Sequence, residues 1–129
     1  YKRCEQILAH NVPRAGYEKD FGKKIDWNYF PLKRPGGRRD TEYPITHYWN
    51  GFSYFQRSLG PMYWFSLDER YAKEAADLIV DHVRSYPPPE KYTSLAPGPW
   101  RRLTSASSAI SWLYGYNYFL RSKHFTPDV

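Results

Sequence analysis

Apolar residues recur every three or four positions in three long stretches of this chain, and the rhythm breaks between them. Ile45, Tyr48, Trp49, Phe52, Phe55, Leu59 and Met62 mark one helix over residues 44–66, with a kink or local break expected at Gly60-Pro61. Ala72, Ala75, Ala76, Ile79, Val80 and Val83 form the inward stripe of a second helix over 68–84, with Lys73, Glu74, Asp77, Asp81 and Arg84 on its far face. Asp68 is its N-cap, Glu69 sits in its first turn, and Pro87-Pro88-Pro89 stops it. Ala106, Ala109, Ile110, Leu113, Tyr116, Asn117 and Leu120 give a third helix over 104–122 the same kind of inward stripe. A short helix over 4–10 precedes them, with Ile7 and Leu8 inward, and ends at Asn11-Val12-Pro13. No stretch reads as a hairpin. The predicted class is all-α, with antiparallel helices in one domain over 1–129, an order that suits an open toroid or solenoid.

The gaps between helices are informative. Residues 13–43 contain Gly16, Gly22, Pro31, Pro35, Gly36 and Gly37 and hold no period, so they read as a long irregular N-terminal arm. The arm carries Trp27-Asn28-Tyr29-Phe30, which favours packing over a flexible linker. A second loop spans 87–103. At the far end Thr126-Pro127-Asp128 has the chemistry of a helix start, and two residues later the sequence ends. With Tyr1 in place of an initiator Met, this reads as a piece of a longer polypeptide.

Composition narrows the chemistry. The 129 residues carry a net charge of +6. Lys33, Arg34, Arg38 and Arg39 cluster, with Lys23-Lys24 just before and Arg101-Arg102 later. Such a balance serves either as a solvated surface or toward a polyanion. Aromatic residues make up 19% of the chain, including 13 Tyr. Aromatic faces beside cations suit two ligand types: bases of single-stranded nucleic acid, and sugar rings carrying carboxylate or sulfate. Cys4 is the one cysteine, so an internal disulfide and a cysteine zinc site are excluded. No phosphate-cradling glycine motif occurs, and His10, His47, His82 and His124 lie without metal-ligand spacing. No apolar run approaches the roughly 18 residues that cross a bilayer, and no signal sequence is visible.

Two groups of residues stand out as candidates for binding. Tyr43, His47, Asn50 and Tyr54 follow helical spacing beside the core stripe, which fits either a hydrogen-bonded packing face or the wall of a groove. Trp100-Arg101 sits behind Pro97 and Pro99 at a loop-to-helix junction, where it either plugs the core end or presents a binding pair.

Several blocks resemble, in order and spacing, the N-terminal region of heparinase II/III-type polysaccharide lyases. Ile25-Asp26-Trp27-Asn28-Tyr29-Phe30-Pro31 is similar to its I-x-W-x-x-x-P stretch. Leu67-Asp68-Glu69-Arg70-Tyr71-Ala72 resembles G-D-E-K-Y-A, with Leu67 where the family has Gly. Tyr86-Pro87 resembles the N-P that closes that helix, Trp100-Arg101-Arg102-Leu103 resembles W-R-P-L, and Ser111-Trp112-Leu113 a downstream n-W-l. Ser122-Lys123-His124-Phe125-Thr126-Pro127 is similar to s-p-a-F-T-p. The resemblance implies the first helices of an (α/α) toroid, in an enzyme that cleaves uronic-acid polysaccharides by β-elimination. The family's catalytic residues lie in later helices and a β-sandwich domain, so no catalytic residue, metal or cofactor is assigned here.

The reading that follows is one wall of a substrate cleft. Trp27, His47, Asn50, Trp100 and Arg101 are its candidate contacts, and Lys33, Arg34, Arg38 and Arg39 an electrostatic guide. The expected partners are an acidic polysaccharide and the remainder of the same polypeptide, with no membrane and no nucleic acid, in a bacterial periplasm or outside the cell. The alternative is a non-enzymatic helical module that binds acidic glycan or nucleic acid.

Overall fold

A computed structural model describes residues 1–14, 17–27, 29, 54–87, 90–91, 100 and 102–129. It is mostly helical. Four helices and one small hairpin make up the described elements: α1 (Lys2–Leu8), β1 (Asn11–Arg14), β2 (Tyr17–Asp20), α2 (Tyr54–Ser66), α3 (Glu69–Ser85) and α4 (Arg102–Phe119).

Cys4 and Ile7, three residues apart, point α1 into the core, and the Cys4 thiol donates to the Ser58 carbonyl oxygen at 3.3 Å. The helix stops at Ala9, and His10 takes a left-handed backbone with φ 54°. The chain then turns into the hairpin, where Asn11 pairs with Asp20 and Arg14 with Tyr17 in antiparallel register. The hairpin corrects the expectation of an irregular stretch from residue 13. Its four-residue strands are too short for an alternating pattern to mark them in the sequence. Most of the expected arm, like residues 44–53 of the first long helix, lies outside the described residues.

In α2, Phe55, Leu59 and Tyr63 are buried at helical spacing. Complete burial of Phe55 and Leu59 contributes about 1.5–3 kcal/mol each. Pro61 lies inside the helix, which continues to Ser66, so the local break expected there does not occur. The burial of Leu59 and Tyr63 on either side holds that turn helical despite the missing N–H.

Leu67, at φ 55°, turns the chain, and Asp68 caps α3 by accepting the Arg70 amide at 3.0 Å. Tyr71, Ala72, Ala75, Ala76, Leu78, Ile79 and His82 are the buried residues of α3. The expected stripe gains Tyr71, Leu78 and His82, while Val83 faces solvent. Tyr71 donates its hydroxyl to Glu5 at 3.1 Å, tying α3 to α1. Burial, then Glu5, pushes the Tyr71 hydroxyl up to about 12.

The third long helix is turned half a revolution from expectation. Ser108, Ser111, Gly115 and Phe119 of α4 are buried, whereas Ile110, Leu113, Tyr114, Tyr116 and Leu120 are exposed. Ala106, Ala109 and Asn117 are exposed with them. The reason is close approach. A side chain at Gly60 of α2 would meet the Tyr118 ring at 2.6 Å, and one at Gly115 would meet Gln56 at 2.9 Å. At Gly60 and Gly115 no larger side chain fits without displacing its neighbour, which draws the helices together there and leaves Ile110, Leu113, Tyr114 and Tyr116 of α4 outside.

Contacts fix the directions. Gln56 faces Gly115, Gly60 faces Tyr118 and Tyr63 faces Phe119, so α2 and α4 run parallel. Glu69 at the start of α3 meets Ser122 beyond the end of α4, while His82 meets Trp112, so α3 runs against α4. One carboxylate joins these elements: Glu69 accepts the Tyr63 hydroxyl at 3.3 Å and the Ser122 hydroxyl at 2.6 Å. After α4, Phe125 stacks on Phe119 at 4.9 Å, and the Thr126 start signal forms a turn closed by the Val129 amide at 3.0 Å.

Candidate functional site

Two constellations lie along α3. The first is aromatic and surrounds His82 near the helix's C-terminal end. Trp27 meets the His82 ring edge-on at 5.0 Å, Tyr86 tilts against it at 5.3 Å, and Trp112 approaches at 6.2 Å. Trp100 joins through its indole N–H, which donates to the Tyr86 carbonyl at 3.2 Å. Trp27 is held at both ends: its indole N–H donates to Asp81 at 2.5 Å, and its own carbonyl accepts the Tyr86 hydroxyl at 3.0 Å. Burial, then the charge of Asp26, raises the Tyr86 hydroxyl above its ordinary value, keeping it a donor.

The second constellation is a cleft of about 350 Å³ between the segment after β2 and the polar face of α3. Ile25 and Leu78 form its apolar base, and both are buried. Glu74, Asp77 and Asp81 line one side, with His10, Lys23 and Lys24 opposite. The carboxylates are engaged: Glu74 with His10 at 2.9 Å, Asp77 with Lys73, and Asp81 with Trp27. His10 Nδ1 also lies 2.8 Å from the Gly22 carbonyl oxygen. Both ring nitrogens of His10 are thus engaged within the chain. The hydrogen bond to Glu74 raises its proton affinity above the ordinary imidazole value, with burial opposing. Among the described residues no group of three His, Cys, Asp or Glu has a metal-holding arrangement.

The candidate contacts divide. Trp27 is 3% exposed, so its ring presents no face to a ligand, and its role in this fold is to pin the N-terminal segment to α3. Trp100 is half-buried and anchored at the end of α3. His47, Asn50, Arg101, Lys33, Arg34, Arg38 and Arg39 lie outside the described residues. The cleft was not singled out from the sequence. The spacing of Glu74, Asp77 and Asp81 on one helix face was visible, but nothing local marks His10 as their partner 64 residues away.

A family model described as the heparinase II/III N-terminus matches residues 3–129. The chain belongs to this family. No curated protein and no solved structure matches it. Within this heparinase II/III N-terminal region, four blocks of the sequence resemblance contribute one aromatic residue each to a single place: Trp27, Tyr86, Trp100 and Trp112 converge around His82 and the end of α3. Of these four, Trp27 is buried, while Tyr86, Trp100 and Trp112 are half-buried. No helix among the described residues is long and apolar enough to cross a membrane.

Proposed function

We propose that this chain is the N-terminal helical part of a polysaccharide lyase that cleaves uronic-acid polymers by β-elimination, and that it forms one wall of the substrate cleft. The family match over residues 3–129 carries this reading. Two features support it. Parallel α2 and α4 with α3 running against them is the order that successive helices of an (α/α) toroid require. In addition, α4 has no charged residue between Leu103 and Leu120 and is apolar on its exposed side, as befits a helix covered on both faces.

On this reading the exposed side of α4 receives the next helix of the same polypeptide, and the arm over 13–43 carries Lys33, Arg34, Arg38 and Arg39 toward an acidic glycan. His47, Asn50, Trp100 and Arg101 remain the proposed contacts, and the working compartment is the periplasm or the exterior of a bacterium. The chemistry belongs to residues beyond this region.

Chromatography tests the reading. The chain should be retained on immobilised heparin in a salt-sensitive way, and more strongly than on single-stranded DNA of matched charge. It should release no ultraviolet-absorbing unsaturated product from any uronate polymer. Equal or stronger retention on DNA transfers the proposal to a nucleic-acid module, and product release from the chain by itself overturns the division of labour.

A further inference from the structure

His10 joins the hairpin segment to the acidic face of α3 through both edges of its ring. Its Nδ1 lies 2.8 Å from the Gly22 carbonyl oxygen and its Nε2 lies 2.9 Å from Glu74 Oε1. A carbonyl oxygen only accepts, and an ionised carboxylate only accepts. Both ring nitrogens must therefore carry hydrogen, and the ring that satisfies this geometry is the imidazolium. The backbone adds strain to be held, because His10 sits at φ 54°.

We propose that His10 is a proton-operated latch: doubly protonated, it fastens the segment after β2 onto α3, and on losing a proton it lets that segment lift and open the cleft beneath. The neutral ring donates from one nitrogen only, so the other turns a lone pair toward either Gly22 or Glu74. The charges facing the ring are Glu74, Asp77 and Asp81 from α3 and Lys23 and Lys24 from the lifted segment. Lys73 engages Asp77 and Trp27 engages Asp81, which leaves Glu74 as the carboxylate answering His10. Within the hairpin, Glu18 is held by Asn11, and Asp20 accepts the Gly22 amide, so neither turns on the ring. Trp27 remains pinned to Asp81 when the latch opens, which confines the movement to the stretch around residues 20–25.

The direction with pH follows from the raised proton affinity of His10 in the fold. The fastening is fully present below the ordinary imidazole range and is lost as pH climbs through the raised value. The inference is independent of the polysaccharide reading, since it concerns the chain's own contacts.

Nuclear magnetic resonance of the nitrogen-15-labelled chain tests it. On the acid side of the His10 titration both ring nitrogens should be protonated. The amide of Phe21, which bonds to the His10 carbonyl at 3.2 Å, should lose about tenfold in protection, corrected for intrinsic exchange, as pH rises through the His10 titration. Amides of Ala75 to Ile79 provide the fixed reference. Glu74→Gln should lower the His10 titration point and shift the loss of protection with it. If Glu74→Gln does not fold, the ring titration of the unchanged chain still decides. A His10 titration point at or below the ordinary imidazole value, or Phe21 protection indifferent to the His10 titration, overturns the latch.

Discussion

Trp27 donates its indole N–H to Asp81 at 2.5 Å across 54 residues of sequence. The bond fastens a residue of the N-terminal segment to the polar side of α3, at the residue just before the buried His82 whose ring Trp27 meets edge-on. A tryptophan so placed contributes through packing and through one directed hydrogen bond, and the two contributions separate by substitution.

Trp27→Phe keeps an aromatic ring and removes the donor. It should cost about 1–2 kcal/mol in urea unfolding, the value of a directed bond to a half-buried carboxylate. Trp27→Ala also empties the site and should cost about 3–5 kcal/mol. Retention of Trp27→Phe on immobilised heparin should match that of the unchanged chain; a marked loss with the fold intact would return Trp27 to the ligand surface.

Gly60 and Gly115 both lie on the α2–α4 seam but differ in what surrounds them. An added methyl at Gly60 meets the Tyr118 ring at 2.6 and 2.8 Å and its Cβ at 3.1 Å, whereas at Gly115 the contacts are looser, Gln56 Cγ at 2.9 Å and Cβ at 3.3 Å. Gly60→Ala should therefore destabilise by about 1–3 kcal/mol even though alanine favours helix by about 1 kcal/mol. Gly115→Ala should cost less than Gly60→Ala, because its contacts are looser and alanine favours helix by about 1 kcal/mol. Equal penalties in thermal unfolding would refute the distinction.

The two sides of α4 predict opposite responses. Leu113 is 67% exposed, and Leu113→Lys should change stability by less than about 0.5 kcal/mol. Ser111 is buried, and Ser111→Leu should cost about 1–3 kcal/mol by overpacking the seam. The sequence-derived stripe predicts the reverse ordering, so denaturation of these two variants decides which side of α4 faces inward.

Leu67 occupies left-handed backbone between α2 and α3 while exposing most of its side chain. Glycine adopts that conformation without strain. Leu67→Gly should stabilise the chain by about 0.5–1 kcal/mol, the left-handed penalty less glycine's entropy in the unfolded state. A loss in differential scanning calorimetry would mean that Leu67 makes a contact worth more than its strain.

Where one local rule dominates, this fold is legible in its sequence. Asp68 with Glu69 behind it marks the start of α3, and Asp68 forms that cap. Ile7, Phe55, Leu59 and Ile79 are buried as their spacing requires. Reading failed where two rules compete. On α4 the spacing of the apolar stripe points it inward, yet the close approach to α2 leaves no room for a larger side chain at Gly115, and Ser108 and Ser111 are buried with it. For Trp27, aromatic character beside a basic cluster suggested a ligand, while its partner Asp81 was too distant in sequence for any pattern to join them. The cleft depends on the same kind of pairing, between His10 and Glu74.

Glu69 also implies an order of assembly. Its carboxylate takes one hydrogen bond from Tyr63, six residues away, and another from Ser122, 53 residues away. Closing the short span costs little chain entropy and closing the long one costs more. The corner between α2 and α3 thus forms early and waits with one carboxylate oxygen still in water. The segment around Ser122 docks onto a socket already built, so Ser122→Ala should accelerate unfolding while leaving the folding rate nearly unchanged.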